Sequence, residues 1–534
     1  LVLGVISWLS YTFIYQPAYA HYLYTRGIDH IEEDRYIEGN ETFDRAQDVW
    51  HSRSQYYNYA DTFRDERQYG LATEKYEELL EIYPTDRQGL LDYADLESNV
   101  LANYEHADQL LDRVLEEEMF DYDAMLMKGD NYMAWADIDP TRYEDARRVY
   151  ATLMEQYGRT NTLLFRMLRY FIRTDNYDRV VELKDFFQSE EEIPIEPDVY
   201  AELGGYLLDN NITEEVSEIL FRAMDVNESL PEVHYHLARY YREIENLSEE
   251  RRALGYARRL FENATPLTRR RLAMQIDTFN RSGEVEYERR EYLTAEEFYQ
   301  EGIDLYENAL QRELLEQDRM FGRLYYNLGN LYYYQVGEFD TALALFEEAE
   351  DNLYQNADQN YKMGVIRYMN ENYDSALEEF YTAASPYSTN RNLLFSTGNS
   401  LFERRSYFSA QGYYIHLLDI LERERQNITY LMINENPNHR NLIEYLMKTY
   451  NNLGVTFYRL YEAGGGEDYY SRALTNLYYA SELFDALSRN PATLERSSTT
   501  NLAHLNSRSI MYPGAENTPS IYTDLPMDMQ VEDF

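Results

Sequence analysis

The chain has 534 residues, 96 of them acidic against 49 basic, and carries a net charge of −47 with no cysteine. The charge argues against nucleic acid and against an anionic membrane face as the main partner, since both are held chiefly by Lys and Arg. The missing cysteine removes disulfides, thiolate metal sites, iron–sulfur clusters and Cys nucleophiles. Strong acidity suggests disorder when aromatics are few, but this chain is 15% aromatic and holds 56 Tyr. Composition therefore describes a folded protein with a wet, negatively charged skin.

The chain opens on LVLGVISWLSYTFIY, which is apolar and uncharged. A spanning helix needs about 20 apolar residues, and residues 1–19 are expected to form a membrane anchor truncated at its start. Trp8, Tyr11 and Tyr15 would then sit near the interface. Two other assignments stay open. Ala18-Tyr19-Ala20 has the small-x-small form of a signal-peptide cleavage site, and the segment also suits a buried first helix. An anchor or a signal peptide places the body outside the cytoplasm.

Beyond it, one pattern recurs. Gly329, with Ala342, Phe346 and Ala349 after it, is followed by Gly364 with Ala376, Phe380 and Ala383, then by Gly398 with Ala410, Tyr414 and Leu417. The three glycines are 35 and 34 residues apart. A small residue lets two antiparallel helices approach where their backbones cross, and the aromatic one turn later fills the space beside the crossing. The signature runs back through Gly27/Gly39/Phe43/Ala46, Ala60/Ala72/Tyr76/Leu79, Ala94/Ala107/Leu111 and Gly129/Ala146/Tyr150. It is weaker around Leu168, Gly204, Ala238 and Ala273, and clear again at Gly454/Ala473/Leu477/Ala480. About 12 candidate units cover residues 20–488.

These stretches resemble tetratricopeptide repeats, whose period is about 34 residues. The resemblance implies an all-α helix-turn-helix solenoid. The expected organisation is an N-terminal array over 20–187, irregular middle repeats over 188–294 and a C-terminal array over 295–488. Residues 280–292 are expected to lengthen a turn, 296–321 to form one long helix, and 421–441 to include an insertion. From 489 to 534, Pro491, Pro513, Pro519 and Pro526 among small polar residues predict an extended tail. Its apolar anchors, Ile521, Tyr522 and Leu525 among them, suit either a wrap along the solenoid or an arm for a partner.

No catalytic constellation emerges. The nearest His pair, His234 and His236, is two apart and cannot share one helix face. HExxH, GxSxG, a phosphate-cradling glycine loop and a DxDxDG calcium loop are all missing. The expectation is a non-enzyme without metal or cofactor. The resemblance implies that first helices line a concave face. There Tyr326 and Tyr333, Tyr361 and Tyr368, and Phe395 and Phe402 form pairs seven apart, a candidate partner-binding stripe. More loosely, a hydrophobic start, a Tyr-rich acidic array and a Pro-containing tail resemble the collar proteins around the periplasmic flagellar motor of spirochaetes. That implies a scaffold in the periplasm, anchored in the inner membrane and contacting stator and other collar subunits. The alternative is an envelope co-chaperone or secretion adaptor.

Overall fold

The computed structural model describes residues 8–189, 195–264, 268–384, 387–426, 428, 432–433, 436–488, 501–512 and 518–525. Among them all regular structure is helical. Two compact units divide at 278/279, inside one helix.

In the first unit, a single π turn (Tyr11–Tyr15) leads into α1 (Gln16–Glu32). Then follow α2 (Tyr36–Val49), α3 (Arg53–Asp65), α4 (Tyr69–Ile82), α5 (Arg87–Asn99), α6 (Tyr104–Glu117), α7 (Tyr122–Trp135) and α8 (Arg142–Tyr157). The row continues with α9 (Asn161–Arg173), α10 (Tyr177–Ser189), α11 (Pro197–Asp209), α12 (Val216–Val226), α13 (Pro231–Glu243) and α14 (Leu247–Asn263). The division falls in α15 (Arg269–Glu288). The second unit holds α16 (Tyr292–Gln311), α17 (Arg319–Leu331) with a π turn at Tyr332–Val336, α18 (Phe339–Asp351), α19 (Ala357–Met369) and α20 (Tyr373–Ala383). It ends with α21 (Arg391–Glu403), α22 (Tyr407–Arg425), α23 (Pro437–Glu462), α24 (Glu467–Ser488) and α25 (Leu502–Met511).

Each odd-numbered helix up to α23 forms a hairpin with the even-numbered one after it. Within each unit the odd helices also pack on one another, as α9 on α11, α11 on α13 and α21 on α23, and so form an inner row. The small-residue rule is visible atom by atom. A Cβ at Gly129 would stand 2.4 Å from Tyr150 Cε1, at Gly364 2.6 Å from Phe380 Cε1, and at Gly398 2.6 Å from Tyr414 Cε1. Those rings are fully buried, so the glycines set the spacing between paired helices.

The hairpin turns share a second device. In eleven of the twelve a residue with positive φ follows the first helix, and only Gly337 and Gly464 among these are glycine. The N–H of the next residue reaches back across the turn, as Asn372 N to Arg367 O (2.9 Å) and Ser406 N to Leu401 O (2.8 Å), the closure of a Schellman turn. An aromatic at the start of the second helix then meets one on the last turn of the first. Tyr287 meets Tyr292 at 5.4 Å, Tyr368 meets Tyr373 at 5.8 Å, and Phe402 meets Tyr407 at 5.1 Å between ring centroids. Five tyrosines serve these three corners.

The N-terminal expectation is corrected. Among the described residues no helix is long and apolar enough to cross a membrane. The reason lies in α1, which carries Arg26, Asp29 and His30 and turns Ala20, Leu23, Tyr24, Gly27 and Ile31 inward as the first helix of the first hairpin. Trp8, Tyr11 and Tyr15 are exposed on the approach to it; residues 1–7 lie outside the described residues. Three further differences have physical causes. Residues 280–292 are not a long turn: α15 and α16 are long helices, closed by Arg290 at φ 65° and crossing where Gly283 meets Tyr299. The helix expected over 296–321 therefore ends at Gln311, and much of the extra length at 421–441 is helical too, in the end of α22 and the start of α23. The tail expected to be extended contains α25, which packs on α23 and α24.

All five lysines are drawn into the fold. No Lys side chain is more than 13% exposed, and each reaches Asp or Glu: Lys75, Lys128, Lys184, Lys362 and Lys448. The outer charge is left to carboxylates and arginines.

Candidate functional site

The inner row of the second unit carries an extended segment, residues 518–525, laid across α19, α21 and α23. Almost every polar contact on it is to main chain. From α23, Asn452 Nδ2 donates to Tyr522 O at 2.8 Å while its Oδ1 accepts from Tyr522 N–H at 2.8 Å. Asn506 of α25 repeats this at Ser520, donating to O at 2.7 Å and accepting from N–H at 3.0 Å. Asn399 of α21 adds a bond to Tyr522 O (3.0 Å) and Asn451 one to Ser520 O (3.3 Å). Tyr368 donates to Thr523 O at 2.6 Å, and Arg459 to Pro519 O at 3.1 Å. Residues 520 and 522 are two apart, so in extended chain they present N–H and C=O to the same side, and the asparagines meet them in register.

The asparagines are themselves tied together. Asn452 donates to Asn399 Oδ1 (2.8 Å), Tyr414 donates to the same oxygen (2.5 Å), and Asn506 donates to Asn451 Oδ1 (2.8 Å). All four are buried, where an amide without partners would cost about 1–3 kcal/mol. Burial raises the Tyr368 and Tyr414 phenols well above their usual range and pushes Tyr522 up to about 12, so all three stay neutral and Tyr368 and Tyr414 remain donors. Side-chain recognition is confined to a few points. Ile521 and Tyr522 are buried in the core of α21–α24, and Leu525 is partly buried there and against the core around Tyr361 and Tyr368. Asp524 pairs with Lys448 at 2.7 Å. Ser520 and Thr523 are exposed.

Of the six stripe residues, Tyr368 touches this segment through a hydrogen bond and the others serve mainly the packing beneath. Tyr361 stacks on Tyr387 at 4.7 Å, Phe395 lies edge-on to Tyr445 at 6.2 Å, Phe402 meets Tyr407, and Tyr333 is buried against Tyr334 and Phe339. Tyr326 is half-buried and donates to Asp358 (2.6 Å), whose carboxylate also accepts from Tyr387 (2.9 Å) and pairs with Lys362. Burial lowers the Lys362 pKa against the pull of Asp358. Sequence reasoning missed Asn399, Asn451, Asn452 and Asn506. Their signal was available: Asn399 adjoins Gly398 and Asn452 precedes Gly454 by two, polar amides on the inner row beside the helix crossings.

The first unit uses its own inner row differently. A cavity of about 430 Å³ is lined by Arg64, Arg169, Arg173, Arg270 and Arg271 with Asp130, Asp137, Asp198, Glu202 and Glu232 among others. Glu202 sits at its centre. Arg173 makes a fork to it at 3.0 and 3.2 Å, and Arg169 and Arg270 each approach to 3.3 Å. Burial alone would raise the Glu202 carboxyl, but Arg173, Arg270 and Arg169 outweigh it and hold it well below the usual carboxylate range. The charges are paired helix to helix, so the network staples α9, α11 and α15 together. His234 Nε2 donates to Glu228 O (2.7 Å) while His236 packs against Gly205. Among the described residues no cluster of His, Asp and Glu is placed to hold a metal ion.

The fold and site together define an array of helical hairpins, with an inner row in the second unit that holds an extended segment of the chain. No family model matches the chain, and no curated protein matches it. Among solved structures, a tetratricopeptide repeat protein from Parabacteroides merdae is similar with TM-score 0.38 and 13% identity, over 45% of this chain and 93% of that one. Pseudomonas aeruginosa pilF is similar with TM-score 0.33 and 17% identity, over 42% of this chain and 91% of that one. The APC/C hetero-tetramer Cut9–Hcn1 gives TM-score 0.32 and 13% identity, over 93% of this chain and 94% of that one.

Proposed function

We propose that the chain is a non-catalytic protein–protein interaction scaffold whose second unit takes extended polypeptide along its inner row. The observation that carries this is the double reading of main chain at Ser520 and Tyr522 by Asn506 and Asn452, an arrangement suited to peptide rather than to a small metabolite. The more specific form is a structural component of the periplasmic flagellar motor collar, bridging stator and other collar subunits. Its support is the resemblance stated above, together with an acidic surface that steers basic partners. The alternative is an envelope co-chaperone or secretion adaptor, favoured by a groove whose grip is largely independent of sequence.

The test is recovery of the tagged full chain from its own cells, with co-purifying chains quantified by mass spectrometry. Motor or other envelope subunits in constant ratio are expected. Many unrelated clients in small amounts would sink the collar assignment in favour of the adaptor, and a chain recovered alone would overturn the scaffold.

A further inference from the structure

The segment in the groove belongs to the chain itself, and its chemistry specifies what else fits there. We propose that residues 518–525 are a resident, displaceable occupant of a peptide receptor, and that the receptor's partner is an extended segment bearing apolar–aromatic–x–acidic–apolar side chains. The inference rests on the scaffold reading and names the partner class of the same groove.

The argument runs from the contacts. Neither Ser520 nor Tyr522 is held in a helix or a strand ladder; side chains of the helices supply the bonds to their N–H and C=O. Any extended chain presents those groups, so this part of the grip discriminates little. Selection falls to Pro519, which is buried, and to three further places. Tyr522 is only 2% exposed and fills a closed slot, while Ile521 beside it is also buried. Asp524 meets Lys448, one of five lysines in the chain, which is held at the groove by Glu444 at 2.8 Å on its other side. Leu525 lies over the junction between two hydrophobic cores. Ser520 and Thr523 face outward and accept any residue.

The occupant is separable because the groove also has fastenings of its own. The helices beneath are closed by their own glycine crossings and turns, and the asparagines are cross-bonded without the segment through Asn399–Asn452 and Asn451–Asn506. A tethered occupant competes at an effective concentration on the order of millimolar. A partner peptide binding the open groove in the ten-micromolar range then binds the native chain about 100-fold more weakly. Attachment would thus be reserved for partners of higher affinity, or for those tethered beside the groove by other contacts.

The experiment uses the full chain and a fluorescent peptide Thr-Pro-Ser-Ile-Tyr-Thr-Asp-Leu, followed by anisotropy. In a double variant, Tyr522→Ala with Asp524→Ala, the resident segment loses its aromatic and acidic anchors. The peptide is expected to saturate this variant and to bind the unmodified chain about 100-fold more weakly. Adding Asn452→Ala should weaken binding to the opened variant about 5- to 150-fold, and a peptide with alanine for the tyrosine should not bind it. Circular dichroism checks that each variant keeps its helices. Equal binding to both chains, no binding to a helical double variant, or binding untouched by Asn452→Ala would each overturn the proposal. The co-purification result is independent of all three, because partners held elsewhere on the array would still be recovered.

Discussion

Glu202 offers the sharpest test of how the first unit holds together. Changing Glu202→Gln preserves shape and removes one negative charge from among Arg169, Arg173 and Arg270. Breaking a buried ion pair from one side costs about 3–5 kcal/mol. Arg173 keeps Asp137 at 3.4 Å and Arg169 keeps Asp198, so the lower end, about 3 kcal/mol, is expected. In a unit of this size that is a fall of roughly 6 °C in the melting temperature. Hydrogen exchange should speed up first in α9, α11 and α15, the helices that the network joins. The pH dependence fixes the sign. Glu202 binds a proton more weakly folded than unfolded, so its contribution is complete above the ordinary value of 4.5 and is lost as pH falls through the folded value. The gap between wild type and variant should stay nearly constant from pH 8 to 5 and close progressively below about pH 4.5. Removing Arg270 as well, by Arg270→Gln, should recover part of the loss. A variant within about 0.5 kcal/mol of wild type at pH 7 would refute the reasoning, since it would mean that the three arginines remain effectively solvated.

The remaining predictions concern the repeats and the groove. Gly398→Ala should destabilise by about 1–3 kcal/mol through collision with Tyr414, read by urea denaturation. Gly412→Ala, on an exposed part of α22 with nothing within 4 Å, should instead stabilise by about 0.5–1 kcal/mol. Ala102→Gly should gain about 0.5 kcal/mol in thermal melting, because the left-handed backbone at φ 54° burdens alanine by more than glycine's extra unfolded entropy costs. Asn452→Ala should speed exchange of the Tyr522 amide about 5- to 150-fold, the equivalent of about 1–3 kcal/mol for a buried donor left without its acceptor.

The repeat was legible in sequence because its cause is local. Gly398, Ala410 and Tyr414 announce a crossing whatever else the chain does, and the crossing is found at Tyr414 Cε1. The long pair α15 and α16 was not legible as such, because Gly283 to Gly329 spans more than one period and looks like an irregular turn unless Tyr299 is recognised as its partner. The N-terminal segment misled because its apolar window runs straight on into α1, whose charged residues decide and lie beyond the window that suggested an anchor. The stripe from Tyr326 to Phe402 is periodic in sequence, yet periodicity alone does not separate a ring that packs inward from one that faces a ligand. The asparagines were passed over because pattern reading seeks apolar faces, while main chain is recognised by amides.

The withdrawal of every lysine from the surface has a practical result for mapping this protein's neighbours. Reagents that join amines to amines find almost no side-chain handle on the folded chain, so silence from them says nothing about contact. Zero-length coupling of carboxylates to amines behaves in the opposite way: the chain supplies the acid partner from its 96 acidic residues and withholds the side-chain amine. Two copies pressed together stay largely unlinked under such treatment, whereas a neighbour with exposed lysines becomes covalently attached.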